Sequence, residues 1–243
     1  MDGTRFGEVA QIYDDARPGY APGLAESIAA YHGTAPGSVL EVGAGTGKGT
    51  AVLRELGGRL TCIEPDERMA AVLRERFPAA SVLVAPFEEA AAEPADVVGC
   101  AMAWHWLDPA RRVRLAHDAL RPGGTLAVWG HRYAYADPGH ARAIDAAFAR
   151  HDKTPPPVRP DTYAYDEIVA SGLFAGARLE RGNRHVAVDA EQYLRLVRTF
   201  GPFRAKSPDE QARTLDALAT ALDDLGGGTV LDLRTGLALA RRA

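Results

Sequence analysis

Cysteine is nearly absent from this chain, with two residues among 243. So few thiols exclude a disulfide framework. Cys62 and Cys100 each fall inside an apolar run and read as small core residues of a reduced, cytoplasmic protein. Long hydrophobic runs are missing too. No stretch reaches the ~18 apolar residues of a membrane helix, and the N-terminus lacks a signal-peptide core, so no membrane partner is expected. Nor is there a basic excess: 28 Lys and Arg face 32 Asp and Glu, a net charge of −4, which offers no footprint for nucleic acid. The seven histidines show no paired ligand spacing such as H-E-x-x-H, and no metal is expected. What is present is ordinary for a globular chain, with 47% hydrophobic and 25% charged residues.

The most informative stretch is Val39-Leu40-Glu41-Val42-Gly43-Ala44-Gly45-Thr46-Gly47-Lys48-Gly49-Thr50. An apolar run ends in an acid, glycines alternate, and a helical pattern starts straight after. That order predicts a strand, a tight turn and a helix N-terminus, a construction that holds small charged ligands. A phosphate-cradling P-loop needs Gly five residues before its Gly-Lys pair and Ser or Thr after the Lys; Val42 and Gly49 occupy those positions. The dinucleotide fingerprint begun at Gly43 needs Gly where Lys48 stands. What remains is E-x-G-x-G-x-G. Further on, Leu60-Thr61-Cys62-Ile63-Glu64 reads as a second strand ending in an acid, and a carboxylate there accepts hydrogen bonds from ribose hydroxyls. Pro65-Asp66 then starts a helix to Arg76, with Asp66 as N-cap. Ser81 to Val84 reads as a third strand and Asp96 to Ala103 as a fourth. The segment Trp104-His105-Trp106 follows, then a helix through Leu120, the turn Arg121-Pro122-Gly123-Gly124 and a fifth strand, Thr125 to Trp129.

In this order the motifs resemble the class I S-adenosylmethionine (SAM) methyltransferases. Tyr13-Asp14-Asp15-Ala16-Arg17-Pro18-Gly19-Tyr20 together with Ala103-Trp104-His105-Trp106 is similar to a small-molecule subgroup that includes trans-aconitate methyltransferase-like enzymes. The resemblance implies an α/β, Rossmann-like fold with a seven-stranded sheet of order 3-2-1-4-5-7-6, its last strand antiparallel. It implies one domain over residues 1–243: an N-terminal helical lid at 1–35, a cofactor-binding core at 36–131, and cap elements at 132–165 and 189–225. It also implies SAM as cofactor and S-adenosylhomocysteine as product. Glu41, Gly43, Ala44, Gly45, Gly47, Glu64, Pro65, Phe87 and Ala103 would bind the cofactor, Glu41 suiting its cationic amino acid end and Phe87 packing near the adenine. The family often has Asp where Pro86 stands.

On the substrate side the candidates are Tyr13, Arg17, Tyr20, Trp104, Trp106 and Tyr133, with His131, Arg132 and Tyr135 following strand five on the same side. Arg17 can grip a carboxylate bidentately; it also reads as a surface arginine at a helix end. Trp104 and Trp106 alternate, so on extended backbone they share a face opposite His105. His105 is the candidate general base, since an unperturbed imidazole titrates near pH ~6.5; it reads equally as a packing residue between the two tryptophans. The expected function is methyl transfer to a small molecule, on oxygen (carboxylate or hydroxyl). A non-methylating cyclase or dehydratase on the same fold and a SAM-binding pseudo-enzyme are the alternatives.

The remaining pattern predicts helices from Phe6 to Asp14 and Pro22 to Tyr31, and from Asp137 to His151. A stiff extended connection follows at Thr154 to Pro160, then a helix from Asp161 to Ser171 and a strand from Arg178 to Val188. Helices from Ala190 to Thr199 and Pro208 to Leu225 precede a last strand, Thr229 to Leu239.

Overall fold

Short apolar runs flanked by glycine turns and helical segments favour parallel strands joined by right-handed crossovers. The computed structural model, which describes residues 10–150, 160 and 162–243, has that construction. Strands β1 (Ser38–Val42), β2 (Arg59–Ile63), β3 (Ser81–Leu83), β4 (Ala95–Ala101), β5 (Leu120–Tyr135), β6 (Phe174–Asp189) and β7 (Gly228–Arg242) form one sheet of order β3-β2-β1-β4-β5-β7-β6. The pairs from β3 through β5 are parallel, and β7 runs antiparallel to both β5 and β6. This is the Rossmann-like order expected from the motifs.

Alternation along the strands sorts the core into two faces. On one, Leu40, Val42, Ile63, Val98, Cys100, Leu126 and Val128 pack with helices α5 (Arg112–Asp118) and α7 (Tyr163–Ala170), through Ala116 and Ile168. On the other, Val39, Val97, Ala127, Trp129 and Leu237 meet Ile28 of α2 (Leu24–His32) and Leu53 of α3 (Thr50–Leu53). Cys62 packs there too, against Leu73 of α4 (Glu67–Arg76). Both cysteines are buried and free.

The antiparallel ribbon of β5, β7 and β6 projects past the parallel strands and carries a second core. Leu231 and Leu233 of β7 pack with Ile144 of α6 (Pro138–Ala149), Tyr193 and Leu196 of α8 (Ala190–Val197), Phe203 of α9 (Gly201–Arg204), and Leu218 and Leu222 of α10 (Pro208–Asp224). Helix α1 (Ala10–Ala16) lies against α8 and α4. No described helix is long and apolar enough to cross a membrane.

Several boundaries move from those expected. Helix α1 ends at Ala16, two residues late; expected positions 6–9 lie outside the described residues. Helix α2 starts at Leu24 because Gly23, at φ 92, occupies the left-handed region. Strand β4 stops at Ala101 because Met102 turns to φ 56. Strand β5 runs on to Tyr135, its Tyr133 and Tyr135 packing with α6 on the second core, and residues 163–165 belong to α7 on the parallel core. The expected extended connection at 154–159 lies outside the described residues.

Asp66 caps α4 as expected: its carboxylate accepts from Arg68 N at 2.9 Å and pairs with the Arg68 guanidinium at 2.7 Å. Asp66→Ala is expected to lower unfolding free energy by about 1 kcal/mol, the usual worth of an N-cap. A urea titration measures it; an unchanged midpoint would show that the cap adds nothing here.

Candidate active site

The turn after β1 is tied to β2 by its own backbone, since Gly43 N and Ala44 N both donate to Ile63 O at 2.9 and 3.0 Å. Gly43 sits at φ 68, and a Cβ on it would collide with the Ala103 side chain. Only glycine satisfies both the left-handed backbone and that approach. Gly45 and Gly47 also take positive φ. The Glu64 carboxylate lies across the mouth of this turn. It accepts from Gly45 N at 2.7 Å and from Asp66 N, beyond Pro65, at 2.9 Å. Burial raises its pKa, and those two backbone donors oppose the rise. An ionised carboxylate has about four acceptor positions, so two remain for hydroxyl donors.

Glu41 behaves differently. It is wholly buried, its carboxyl takes a hydrogen bond from the Thr50 hydroxyl at the start of α3, and a Cβ on Gly49 would run into its Oε1. That Oε1 has no hydrogen-bond partner. Glu41 therefore braces the turn from beneath. Burial pushes its pKa up to about 8, the bond from Thr50 opposing.

Helix α1 closes over the turn from outside. Thr46 Oγ1 donates to Asp14 Oδ1 at 3.0 Å, and Arg76 bonds both Asp14 and Thr46 O, the latter at 2.8 Å. Lys48 Nζ stands 3.7 Å from the same carboxylate. Asp14 was overlooked in the sequence, although the Asp14-Asp15 pair beside Tyr13 is the signal that could have shown it.

Beyond Ala101 the chain breaks from the sheet. Trp104–Trp106 forms a single 3-10 turn, so the two tryptophans do not share an extended face, and that expectation is corrected. Trp104 is buried and its indole donates to Glu167 Oε2 of α7 at 3.0 Å. Trp106 packs its ring against that of His105 at 4.6 Å between centroids. Arg112 clamps the turn: Nε donates to Glu167 Oε2 at 2.9 Å, a second nitrogen bonds Glu167 Oε1, and a third donates to Trp104 O at 2.9 Å. Nothing local in the sequence marks Arg112 and Glu167 as partners, since 55 positions separate them.

The other candidates gather around Arg17. Its guanidinium donates to Thr199 Oγ1 at 2.8 Å and Thr199 O at 2.9 Å, within ring distance of Tyr13, Tyr133 and Phe200. The expected carboxylate clamp is thus engaged as a tie between the end of α1 and the turn after α8. Beside it, Tyr20 stacks on His131 at 5.4 Å, and His131 Nε2 lies 3.2 Å from the Tyr133 hydroxyl. Burial, with Arg17 and Arg184 nearby, lowers the His131 pKa to about 4, so this ring is neutral at pH 7.

A cavity of about 690 Å³ is lined by Met102, Trp104, His105, Gly130, Tyr163, Arg181 and Arg234 among others. The described residues thus join a glycine turn, a strand-end carboxylate and an adjoining cleft at the carboxyl ends of parallel strands, where this class of sheet takes ligands. Phe87 lies in the same buried cluster as Val42 and Ala103. Residues 40–128 match the profile of a methyltransferase domain. An uncharacterized methyltransferase of Mycobacterium tuberculosis is 39% identical over 130 residues, 52% of each chain, and a methyltransferase-like protein of Schizosaccharomyces pombe is 31% identical over 49% of each. The chain spans about half the length of the curated relatives it matches. Among solved structures, a type II methyltransferase candidate from Anaeromyxobacter dehalogenans superposes with a TM-score of 0.66 at 22% identity, covering 93% of this chain and 97% of that one. Phosphoethanolamine N-methyltransferase 2 of Haemonchus contortus, solved with S-adenosyl-L-methionine, gives 0.56 at 15% identity over 97% and 57%. Likeness at such identities shows the fold, the Rossmann-like fold of class I methyltransferases. The match over residues 40–128 is to a methyltransferase domain, a class of domain that takes SAM as its methyl donor.

The residues fit that cofactor. Gly43, Gly45 and Gly47 all take positive φ and leave the turn's backbone bare of side chains, and Glu64 keeps acceptor positions for a diol. The braced turn also makes a pH-dependent prediction. Glu41 ionises near 4.5 when unfolded and near 8 when folded, so its share of stability is full below about pH 4.5 and is lost as pH rises toward 8. Glu41→Gln removes that slope. The variant's unfolding free energy relative to wild type is expected to improve by a few kcal/mol from pH 5 to pH 8, at about 1.4 kcal/mol per pKa unit. Urea titrations at the two pH values measure it, and a constant difference would show that Glu41 ionises normally.

Proposed function

We propose that the protein transfers the methyl group of SAM to a small-molecule acceptor, at a carboxylate or hydroxyl oxygen. The observation that carries the reading is that Ala103, against which the glycine turn packs, is flanked by Met102 and Trp104, both of which line the 690 Å³ cavity. When bound, SAM supplies an activated sulfonium methyl group. Gly43, Ala44, Gly45 and Gly47 give the backbone surface on which it rests, Glu64 accepts from the ribose hydroxyls, and Phe87 with Pro65 backs the adenine. In-line alignment of donor and acceptor supplies most of the acceleration. His105, on the rim of the cavity, takes the proton of a hydroxyl acceptor; a carboxylate acceptor needs no base. Helix α1 acts as a lid, because Asp14 grips the glycine turn while Arg17 grips Thr199 in the second helical layer. The helices α6, α8, α9 and α10 serve as the cap.

Calorimetric titration with SAM and S-adenosylhomocysteine tests the cofactor site. Micromolar affinity in the wild type should fall at least a hundredfold in Glu64→Ala; absence of binding by the ligand-free wild type would overturn methyl transfer. With an acceptor in hand, His105→Gln is expected to lower kcat while leaving SAM affinity within about twofold. Turnover that stays constant from pH 6 to 9 would reject the base.

A further inference from the structure

The antiparallel ribbon that floors the cavity has an ordered chemistry. Residues paired across antiparallel strands share a face, so the register sets out its rungs. Val128, Ala238 and Leu179 form an apolar rung under α7; next come Gly130, Gly236 and Arg181, then Arg132, Arg234 and Asn183. Met102, whose Sδ receives the His131 backbone N–H at 3.2 Å, stands at the middle rung. The two arginines beyond it are direct cross-strand partners, an arrangement that ordinarily destabilises a sheet. Asp232 lies on the same face, and it is already occupied: Arg234 Nε donates to it at 2.8 Å and Asn183 Nδ2 at 3.1 Å, with His185 at 3.6 Å. Arg181 is exposed to the cavity and forms no ion pair among the described residues. Arg181 and Arg234 therefore bring two guanidinium groups to this end of the cleft, where Asp232 is already bonded by Arg234 and Asn183.

We propose that this end of the cavity is an anion subsite, in which Arg181 and Arg234 select acceptors carrying a carboxylate, phosphate or sulfonate. The inference rests on the methyl-transfer reading and adds the substrate class to it. Arg181 stands on the Met102 rung and Arg234 on the next, about 7 Å further along the ribbon, so the anionic group is held between these two rungs. An apolar body spans the glycine floor between Trp104 and Tyr163. A carboxylate bound here is distinct from the atom that is methylated, which makes the acceptor bifunctional.

The experiment is calorimetric titration of the protein, with and without saturating S-adenosylhomocysteine, using 4-hydroxybenzoate against 4-hydroxybenzamide, cinnamate against cinnamamide, and phenylphosphonate. The expected result is that at least one anion binds tenfold or more tightly than its neutral counterpart, the carboxylates and the phosphonate telling which anion is preferred. Arg181→Gln, at an exposed position with no ion pair among the described residues, should weaken that anion about tenfold, as loss of one charge-assisted pair does. Arg234→Gln should weaken it by at least as much. Equal binding of acid and amide, no binding of any anion, or unchanged affinity in Arg181→Gln would overturn the proposal. If S-adenosylhomocysteine fails to bind while the anion still distinguishes wild type from Arg181→Gln, methyl transfer falls and the anion subsite stands.

Discussion

The site depends on one close approach, that of Gly43 to Ala103. Strands β1 and β4 are neighbours in parallel register, with Leu40 opposite Val98 and Glu41 opposite Gly99. Their ends therefore meet at the same height, and the turn leaving β1 has space only if it carries no side chain there. That contact sets the glycine cradle beside Met102, Trp104 and His105, and so beside the cleft. A methyl group at position 43 would separate the two halves of the site before any chemistry was considered.

Around that contact the protein spends polar side chains on holding loops. Glu41 and Thr50 brace the glycine turn from the core, Asp14 with Arg76 holds it from outside, and Glu64 holds its mouth. Arg112 and Glu167 fix the turn that bears His105, and Arg17 ties α1 to Thr199. Buried charges and unpaired polar groups are costly, so each of these groups must find partners. Where the protein leaves one without a partner, at Glu41 Oε1, the carboxyl responds by keeping its proton toward neutral pH. Rigidity at the carboxyl ends of the strands follows from many short-range pairings, not from one strong bond.

The parallel half of the fold was legible because its signals are local. Val39 to Val42, Leu60 to Ile63 and the glycines after Val42 announce strands and a turn by composition alone, and the acid at position 64 lies where a ribose contact would need it. The strand order, including the β5-β7-β6 end, is what the resemblance to the class I methyltransferases implies, and the sheet has it. Less was readable beyond Ala101. The alternation of Trp104 and Trp106 suggests extended backbone, but Met102 at φ 56 redirects the chain into a 3-10 turn that Arg112 and Glu167 then hold from elsewhere in the chain. Likewise Arg17 reads as a free cation in sequence, while its partner Thr199 lies 182 positions away.

By itself the sequence determined the periodicities, the glycine turn and the chemical types available at the strand ends, because these follow from residues within a few positions of one another. Tertiary structure alone decided which of those groups are spent on structure and which face a ligand. Glu41 and Arg17 went to bracing, Glu64 stayed at the mouth of the turn, and Arg132, Arg181 and Arg234 came together on one face. The reason is that burial and pairing of a charged side chain depend on neighbours brought in by distant segments, and no local pattern encodes which neighbours those will be.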